Sequence, residues 1–357
     1  MNDTADRKTD HTIGVLLLNL GGPDSLEAVR PFLYNLFSDR EIIRLGPSFL
    51  QKPIARIIST FRSSKSRRMY GMIGGRSPIL EITTAQAEAL DKALNKEVMG
   101  VDSLQGEKTS ASQQLSFLTS QPLYKVYIGM RYWHPYIKDT VKRMVQDGIK
   151  EVIVLSLYPH YSKTTTGSSV SAFKYAAEEM GLSIKYIEQW FDFPPYIDAM
   201  CELIHEGIQK FKDEDIVLLY SAHSLPKSFI DEGDPYLDHI KGTIEAANKR
   251  LSEEPYNIKD IKWQLSFQSR SGPVEWLEPS TDNTILKLGE KGCRNILVVP
   301  ISFVSDHIET LYEVDILFRE LAKGQGINLR RCGSLNTSEK FINALKELVM
   351  IKTSEAQ

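Results

Sequence analysis

Residues 216–226 read Ile-Val-Leu-Leu-Tyr-Ser-Ala-His-Ser-Leu-Pro, and this stretch decides the fold. The unbroken apolar run that starts at Ile216 predicts a strand buried on both faces, as the strands of parallel sheets are. Pro226 disfavours a helix through His223, so the strand should carry this imidazole just past its carboxyl end. Ligands of open α/β sheets bind outside the carboxyl ends of the strands. His223 is therefore the first candidate for a functional residue.

A second strand followed by acidic residues occurs further along the chain, where residues 296–300 precede Asp306, Glu309 and Glu313. Glu309 and Glu313 are four apart on a predicted helix, so the two carboxylates share one face and repel each other slightly. A cation or a proton relay best explains such a pair at the mouth of a crevice, and we predict a relay of protons or metal through Asp306 and Glu313. Asp306 and Glu309 also fit a capping box, which needs no chemistry. The spacing leaves both interpretations of Asp306 open.

Short apolar runs alternate with longer amphipathic stretches along the chain. Because strands that alternate with helices form parallel sheets covered on both faces, the pattern predicts an α/β fold. The predicted strands cover residues 13–19, 124–130, 152–157, 184–188, 216–221, 261–267, 296–300 and, more weakly, 327–331. Helices are predicted between them, for example over residues 25–37, 135–146, 169–180, 196–211 and 281–291.

The stretch Asp192-Phe193-Pro194-Pro195 separates four predicted strands from about four that follow, and it places a lobe boundary there. We predict an N-terminal α/β lobe over residues 12–193 and a C-terminal α/β lobe over residues 194–336. Residues 337–357 should contain a final helix that packs back on the lobes. A cap on the second lobe alone explains that helix equally well.

Two polar segments should lie outside this core. Residues 1–11 carry both charge signs and no apolar run, so we expect a disordered N-terminus rather than a signal peptide. Residues 100–121 are rich in Ser, Gln and Thr and lack periodicity, which predicts an exposed insertion. The longest apolar runs are too short for a membrane span, and we expect a cytoplasmic enzyme.

Composition argues against several classes of protein. The 357 residues are 42% hydrophobic and 25% charged, as in a soluble globular protein, and a net charge of −3 argues against nucleic-acid binding. The three cysteines, Cys201, Cys293 and Cys332, are widely separated. They exclude a disulfide scaffold and a cysteine-rich zinc site, fit a reducing compartment, and are too few for an iron–sulfur cluster.

Residues 44–76 form a basic segment, because no acidic residue occurs between Glu41 and Glu81. A basic amphipathic helix suits an anionic membrane surface, so we predict peripheral contact with the inner face of the membrane. A lobe helix with a solvated basic face explains the pattern equally well. The apolar residues that recur at helical spacing are Leu50, Ile54, Ile57, Ile58 and Phe61, and the basic residues are Arg44, Lys52, Arg56, Arg62, Lys65, Arg67, Arg68 and Arg76.

Eight short motifs, taken together and in their order along the chain, resemble those of ferrochelatases. The most specific are Ser-Ala-His-Ser-Leu-Pro at 221–226 and Ser-Asp-His-Ile-Glu-Thr-Leu-Tyr-Glu at 305–313. The others are Leu-Asn-Leu-Gly-Gly-Pro at 18–23, the segment 70–78 ending in Gly-Gly-Arg-Ser-Pro, Met-Arg-Tyr-Trp-His-Pro at 130–135, Tyr-Pro-His-Tyr-Ser at 158–162, Gly-Asp-Pro-Tyr at 233–236, and Gln-Ser-Arg-Ser-Gly-Pro with Trp-Leu over 268–277.

The resemblance implies two Rossmann-like lobes, each a four-stranded parallel sheet flanked by helices, with a porphyrin cleft between them. It also implies insertion of Fe²⁺ into protoporphyrin IX with release of two protons, the last step of protoheme synthesis. His223 and Glu309 match the family's catalytic and metal-associated pair, and Arg131 matches a residue near the carboxylates of the macrocycle. The positions that match cleft-lining residues are Leu20, Tyr132, Ser269 and Trp276.

The chain departs from the animal members of that family, which hold an iron–sulfur cluster through an internal cysteine and a cysteine-bearing C-terminal tail. The scattered cysteines and the end at Gln357 imply no such cluster here, and we expect no tightly bound cofactor, with Fe²⁺ as a substrate. Gly71 and Met72 replace basic residues of the animal relatives. The forms of the motifs at 18–23 and 305–313 favour protoporphyrin over coproporphyrin as the substrate.

Other functions remain open from the sequence. Within the same family, the substrate could be coproporphyrin III, or the metal could be cobalt. From a different class, a non-catalytic protein could bind a tetrapyrrole or a metal in the same cleft.

Overall fold

Two parallel sheets of four strands each frame the protein in a computed structural model, which describes residues 12–99, 122–212, 215–270 and 272–355. The strand order is β2-β1-β3-β4 in the first sheet and β6-β5-β7-β8 in the second. This confirms the predicted α/β class and the four-stranded parallel sheets. The strands are β1 (Thr12–Asn19), β2 (Leu123–Met130), β3 (Glu151–Ser156), β4 (Ser183–Ile187), β5 (Ile216–His223), β6 (Lys262–Gln268), β7 (Asn295–Pro300) and β8 (Asn328–Arg331).

Helices connect these strands and flank the sheets. The α-helices are α1 (Val29–Ser38), α2 (Gln51–Met72), α3 (Ile79–Met99), α4 (Ile137–Gln146), α5 (Ser168–Ala177), α6 (Pro194–Ile208), α7 (Lys227–Asp231), α8 (Tyr236–Ser252), α9 (Thr281–Glu290), α10 (Arg319–Gly324) and α11 (Glu339–Ser354). A short 3₁₀ turn (Ser48–Leu50) precedes α2, and two π-helices cover Lys163–Gly167 and Glu309–Phe318.

The apolar core joins the two sheets. Leu17 of β1 and Leu218 of β5 belong to one cluster of buried side chains, together with Tyr196 of α6 and Phe341 of α11. The C-terminal helix α11 contacts β3, β4 and α3 as well as α6. Burial of these apolar surfaces is the main favourable term that holds this shared core together.

Several predicted boundaries were wrong by a few residues. Strand β5 runs to His223 rather than ending at Ser221, because it keeps its register with β6 up to the pair formed with Gln268. Helix α1 begins at Val29 rather than Ser25, since the Ser25 hydroxyl accepts the Ala28 N–H at 3.2 Å and forms a turn first. The disordered N-terminus expected over 1–11 and the insertion expected over 100–121 lie outside the described residues.

Candidate active site

His223 and Glu309 meet at the carboxyl ends of the strands of the second sheet. His223 is the last residue of β5, and its backbone N–H donates to the Ser302 hydroxyl at 2.9 Å. Its ring atom Nδ1 lies 2.8 Å from Glu309 Oε2. Since 37% of the His223 side chain stays exposed, the imidazole remains accessible to a ligand.

Each member of this pair changes the pKa of the other. Burial works against the charged imidazole, but the Glu309 carboxylate overcomes it and raises the pKa of His223. Burial also opposes ionisation of Glu309, yet the charge and hydrogen bond of His223 hold the pKa of that carboxyl well below its usual range. The arrangement therefore stabilises an imidazolium beside a carboxylate, which is the state that results when His223 accepts a proton.

Ser269 links Glu309 to Glu313. Its hydroxyl Oγ lies 2.5 Å from Glu309 Oε2 and 2.6 Å from Glu313 Oε2. A hydroxyl carries one hydrogen, so it can donate to only one of these carboxyl groups, and the other contact needs a proton on the carboxyl. Burial and the nearby Glu309 charge raise the pKa of Glu313, which makes Glu313 the protonated member. A continuous hydrogen-bonded chain thus runs from His223 through Glu309 and Ser269 to Glu313.

The backbone around this chain is unusual at two places. Glu309 and Glu313 lie on a π-helix that covers Glu309–Phe318, a rare form often found at functional sites. Ser269 has a φ of 65°, a left-handed conformation that costs energy for a residue with a side chain. The surrounding contacts hold the Ser269 hydroxyl between the two carboxyl groups despite that cost.

A cavity of about 550 Å³ opens beside Ser269 and Glu313, and residues from both halves of the chain line it. Lys65 and Met69 of α2 line one side, and Ser269, Trp276 and Glu313 line the other. A volume of this size suits a small-molecule ligand. Three residues predicted for the site, Ser269, Trp276 and Glu313, thus share one cavity.

Arg131, Tyr132 and Leu20, which were predicted to contact the porphyrin, form a second group. Arg131 donates from Nη2 to Asp39 Oδ2 at 2.7 Å, and the Tyr132 hydroxyl donates to the same oxygen at 2.6 Å. Tyr132 is only 2% exposed, and its ring belongs to a buried apolar cluster rather than to an open surface. Leu20 packs against the same apolar cluster as Tyr132.

Sequence reasoning missed three side chains near Glu309. The His307 ring atom Nε2 lies 3.9 Å from Glu309 Oε1, and burial lowers the pKa of His307 so that the ring stays neutral. Burial raises the pKa of both Tyr70 and Tyr158, and the Glu309 charge adds to each effect. Each of the three lies inside one of the eight motifs, but a motif does not say which of its members turns inward.

The capping-box interpretation of Asp306 was wrong. The π-helix begins at Glu309 after Ile308, without a side-chain hydrogen bond to its first turn. The Asp306 carboxylate instead pairs with Arg331 at 2.9 Å and accepts hydrogen bonds from three further side chains, those of Thr310, Ser334 and Asn336. Among the hydrogen bonds of the described residues, none joins Asp306 to His223, Glu309 or Glu313. Asp306 therefore anchors the helix through Arg331 and Thr310, and its relay role stays a prediction.

We expect Asp306→Ala to lower the free energy of unfolding by about 3 kcal/mol at neutral pH, because it leaves the buried Arg331 with one carboxylate fewer. Burial opposes ionisation of Asp306, but Arg331 and the neighbouring side chains hold its pKa below the usual value. The stability difference should thus be complete above about pH 4 and shrink as the pH falls through the folded pKa. Chemical denaturation at pH 7 and pH 3 measures it.

Asp215→Ala is the matched control, since Asp215 pairs with Lys262 at 2.6 Å on the surface. Its loss should lower the free energy of unfolding by less than about 1 kcal/mol. Equal stability of the two variants, combined with lost activity in Asp306→Ala, would return Asp306 to the proton relay.

Two comparisons of the sequence with known proteins give the same family. The ferrochelatase family model matches residues 12–353. A ferrochelatase from Geotalea uraniireducens (strain Rf4) is 48% identical over 339 residues, which span 94% of this chain and 96% of that protein. A ferrochelatase from Synechocystis sp. is 44% identical over 349 residues, which span 95% of this chain and 82% of that protein. Among solved structures, SirB from Bacillus subtilis with Fe³⁺ is 13% identical, with a TM-score of 0.48 over 70% of this chain and 92% of that one.

Proposed function

The chain belongs to the ferrochelatase family, and we propose that it inserts Fe²⁺ into protoporphyrin IX to form protoheme, with release of two protons. It is a porphyrin metal chelatase, a lyase of heme biosynthesis. The observation that supports the specific reaction is the contact of 2.8 Å between His223 and Glu309, which Ser269 connects to the cavity. Neutral imidazole and carboxylate are ligands that suit a divalent iron substrate.

The same chain of groups accounts for the protons. Each pyrrole N–H must lose a proton before the metal can replace it, and the His223 imidazole is the base at hand. Glu309 stabilises the imidazolium and accepts the proton from Nδ1. Glu313, the protonated end of the chain, first releases its proton to water through the cavity that it lines. Ser269 then donates its hydroxyl proton to the ionised Glu313 and takes up the proton held by Glu309. Two passages along this chain remove the two pyrrole protons, one for each N–H that is broken.

Parallel assays with Fe²⁺ or Co²⁺ and with protoporphyrin IX or coproporphyrin III test the choice of substrates. We expect the highest kcat/KM for Fe²⁺ with protoporphyrin IX. A higher value for coproporphyrin III, or for cobalt, would overturn the proposed substrate and leave the family unchanged. Tight porphyrin binding without turnover would favour a non-catalytic binding protein.

We also propose peripheral contact with an anionic membrane through α2. The inward face of α2 carries small residues (Ala55, Ser59 and Ser63), and this leaves Ile57 and Phe61 facing outward, 57% and 81% exposed. Of the apolar residues predicted to insert, Ile58 packs inward instead, against the core cluster around α1 and α2. No helix of the described residues is long and apolar enough to span a bilayer.

Wild-type protein should sediment with liposomes that contain anionic lipid and should be released by salt, because each Lys or Arg near the surface contributes about 1 kcal/mol. Phe61→Ser should reduce the bound fraction. Tyr175→Ser, which removes an aromatic ring that is 83% exposed on α5, is the matched control and should not. Equal binding to neutral lipid, or none to either, would assign α2 to the solvated surface of the lobe.

A further inference from the structure

Asp39, just after α1, carries a buried carboxylate that accepts several hydrogen bonds. One oxygen, Oδ2, accepts from Arg131 Nη2 at 2.7 Å, from the Tyr132 hydroxyl at 2.6 Å and from the Ser168 hydroxyl at 2.7 Å. The other, Oδ1, accepts the Glu41 N–H at 2.9 Å. Only 8% of the Asp39 side chain is exposed. A buried charge is costly unless it is paired and hydrogen-bonded, and this one is both.

The contacts of Arg131 use only part of its guanidinium. The group has five N–H donors in a rigid geometry, of which one on Nε donates to Ser168 at 2.8 Å and one on Nη2 donates to Asp39. Two N–H donors on Nη1 and one on Nη2 are left. One from each nitrogen forms a second fork that can bind a carboxylate through two parallel hydrogen bonds. Within the ranges that the structure describes, Nη1 has no hydrogen-bond acceptor.

We propose that Asp39 is a positioning residue that holds Arg131 and presents its second fork to a carboxylate of the porphyrin. This rests on the proposed function, in which Arg131 meets the carboxylates of the macrocycle. The negative charge of Asp39 offsets part of the Arg131 charge, so Asp39 contributes orientation rather than attraction. The Tyr132 hydroxyl donates to the same oxygen, and the amide oxygen of asparagine can still accept that bond in Asp39→Asn.

Asp39→Asn tests the proposal through two porphyrins that differ only in charge, protoporphyrin IX and its dimethyl ester. Loss of a fixed guanidinium should raise KM for the free acid by about three- to tenfold, with kcat within about twofold. KM for the ester should not change, because the ester offers no carboxylate. Asp198→Asn is the matched control, since Asp198 pairs with Arg250 at 2.7 Å on helices α6 and α8, and neither KM should change.

Arg131→Leu, alone and combined with Asp39→Asn, completes a double-mutant cycle. It should raise KM for the free acid by itself, and adding Asp39→Asn should then have no further effect. Equal losses for acid and ester, a further loss in the Arg131→Leu background, or a lower KM in Asp39→Asn would overturn the inference. If Asp39→Asn does not fold, Ser168→Ala removes the other partner of Arg131 and should give the same selective change. Failure of the wild type to insert metal into either porphyrin would instead refute the proposed function.

Discussion

Replacing His223 with alanine is expected to reduce metal insertion by about 10²- to 10⁴-fold, the usual effect of losing a positioned base. The side chain is partly exposed at the end of β5, and its ring lies edge-on to that of Phe303, with the ring centroids 6.3 Å apart. Removing it should therefore leave the fold intact. Zinc insertion followed by porphyrin fluorescence gives the rate, and a thermal melt gives the stability.

His205→Ala is the matched control for this experiment. His205 lies on α6, where its ring bonds to Gln209 at 2.7 Å, and its loss should not slow metal insertion. Near-normal turnover in His223→Ala, with Fe²⁺ or Zn²⁺, would show that another group takes the pyrrole protons and that the site assignment is wrong.

Glu309→Gln is expected to have the second largest effect, a loss of about 10²-fold or more in kcat/KM. Glutamine keeps the volume of the side chain and removes the repulsion toward Glu313, so stability should be retained. The pH dependence should change as well. Glu309 raises the pKa of His223, and without that charge the burial of the ring lowers it. Because a base must be unprotonated to act, the acidic limb of the rate profile should move to lower pH.

Glu313→Gln provides the comparison, since it keeps the His223–Glu309 contact and removes only the outer end of the chain. It should slow turnover less than Glu309→Gln and leave the acidic limb closer to its original position. A Glu309→Gln variant with normal turnover and an unchanged pH profile would contradict the proposed role of Glu309.

The sequence was sufficient for the sheets and for the central pair of the site. A strand buried on both faces needs an unbroken apolar run, and β5 and β7 show one each. The parallel sheets could therefore be recognised from each strand's own sequence, without knowledge of the strands that pair with it. Parallel strands place their carboxyl ends at one edge, and this brings the loops that follow β5 and β7 together. The proximity of His223 and Glu309 followed from that rule and from the resemblance, while their catalytic roles stay predictions.

Contacts between segments far apart in the chain could not be predicted from the sequence. The role of Asp306 depends on Arg331, and that of Asp39 on Arg131 and Ser168, and nothing in the spacing of these residues relates them. The π-helix is equally hidden, because Glu309 and Glu313 share a face in an α-helix too. On α2, the small residues Ala55, Ser59 and Ser63 turn inward and expose Phe61, which the apolar pattern alone did not reveal.

The most direct measurement is a single-turnover reaction of the wild-type protein with anaerobic Fe²⁺ and protoporphyrin IX in weak buffer, read by heme absorbance and a pH indicator together. The proposed reaction predicts that heme forms and that two protons are released for each heme. Porphyrin binding with no new heme absorbance and no proton release would contradict it, and would leave the protein a tetrapyrrole-binding member of its family.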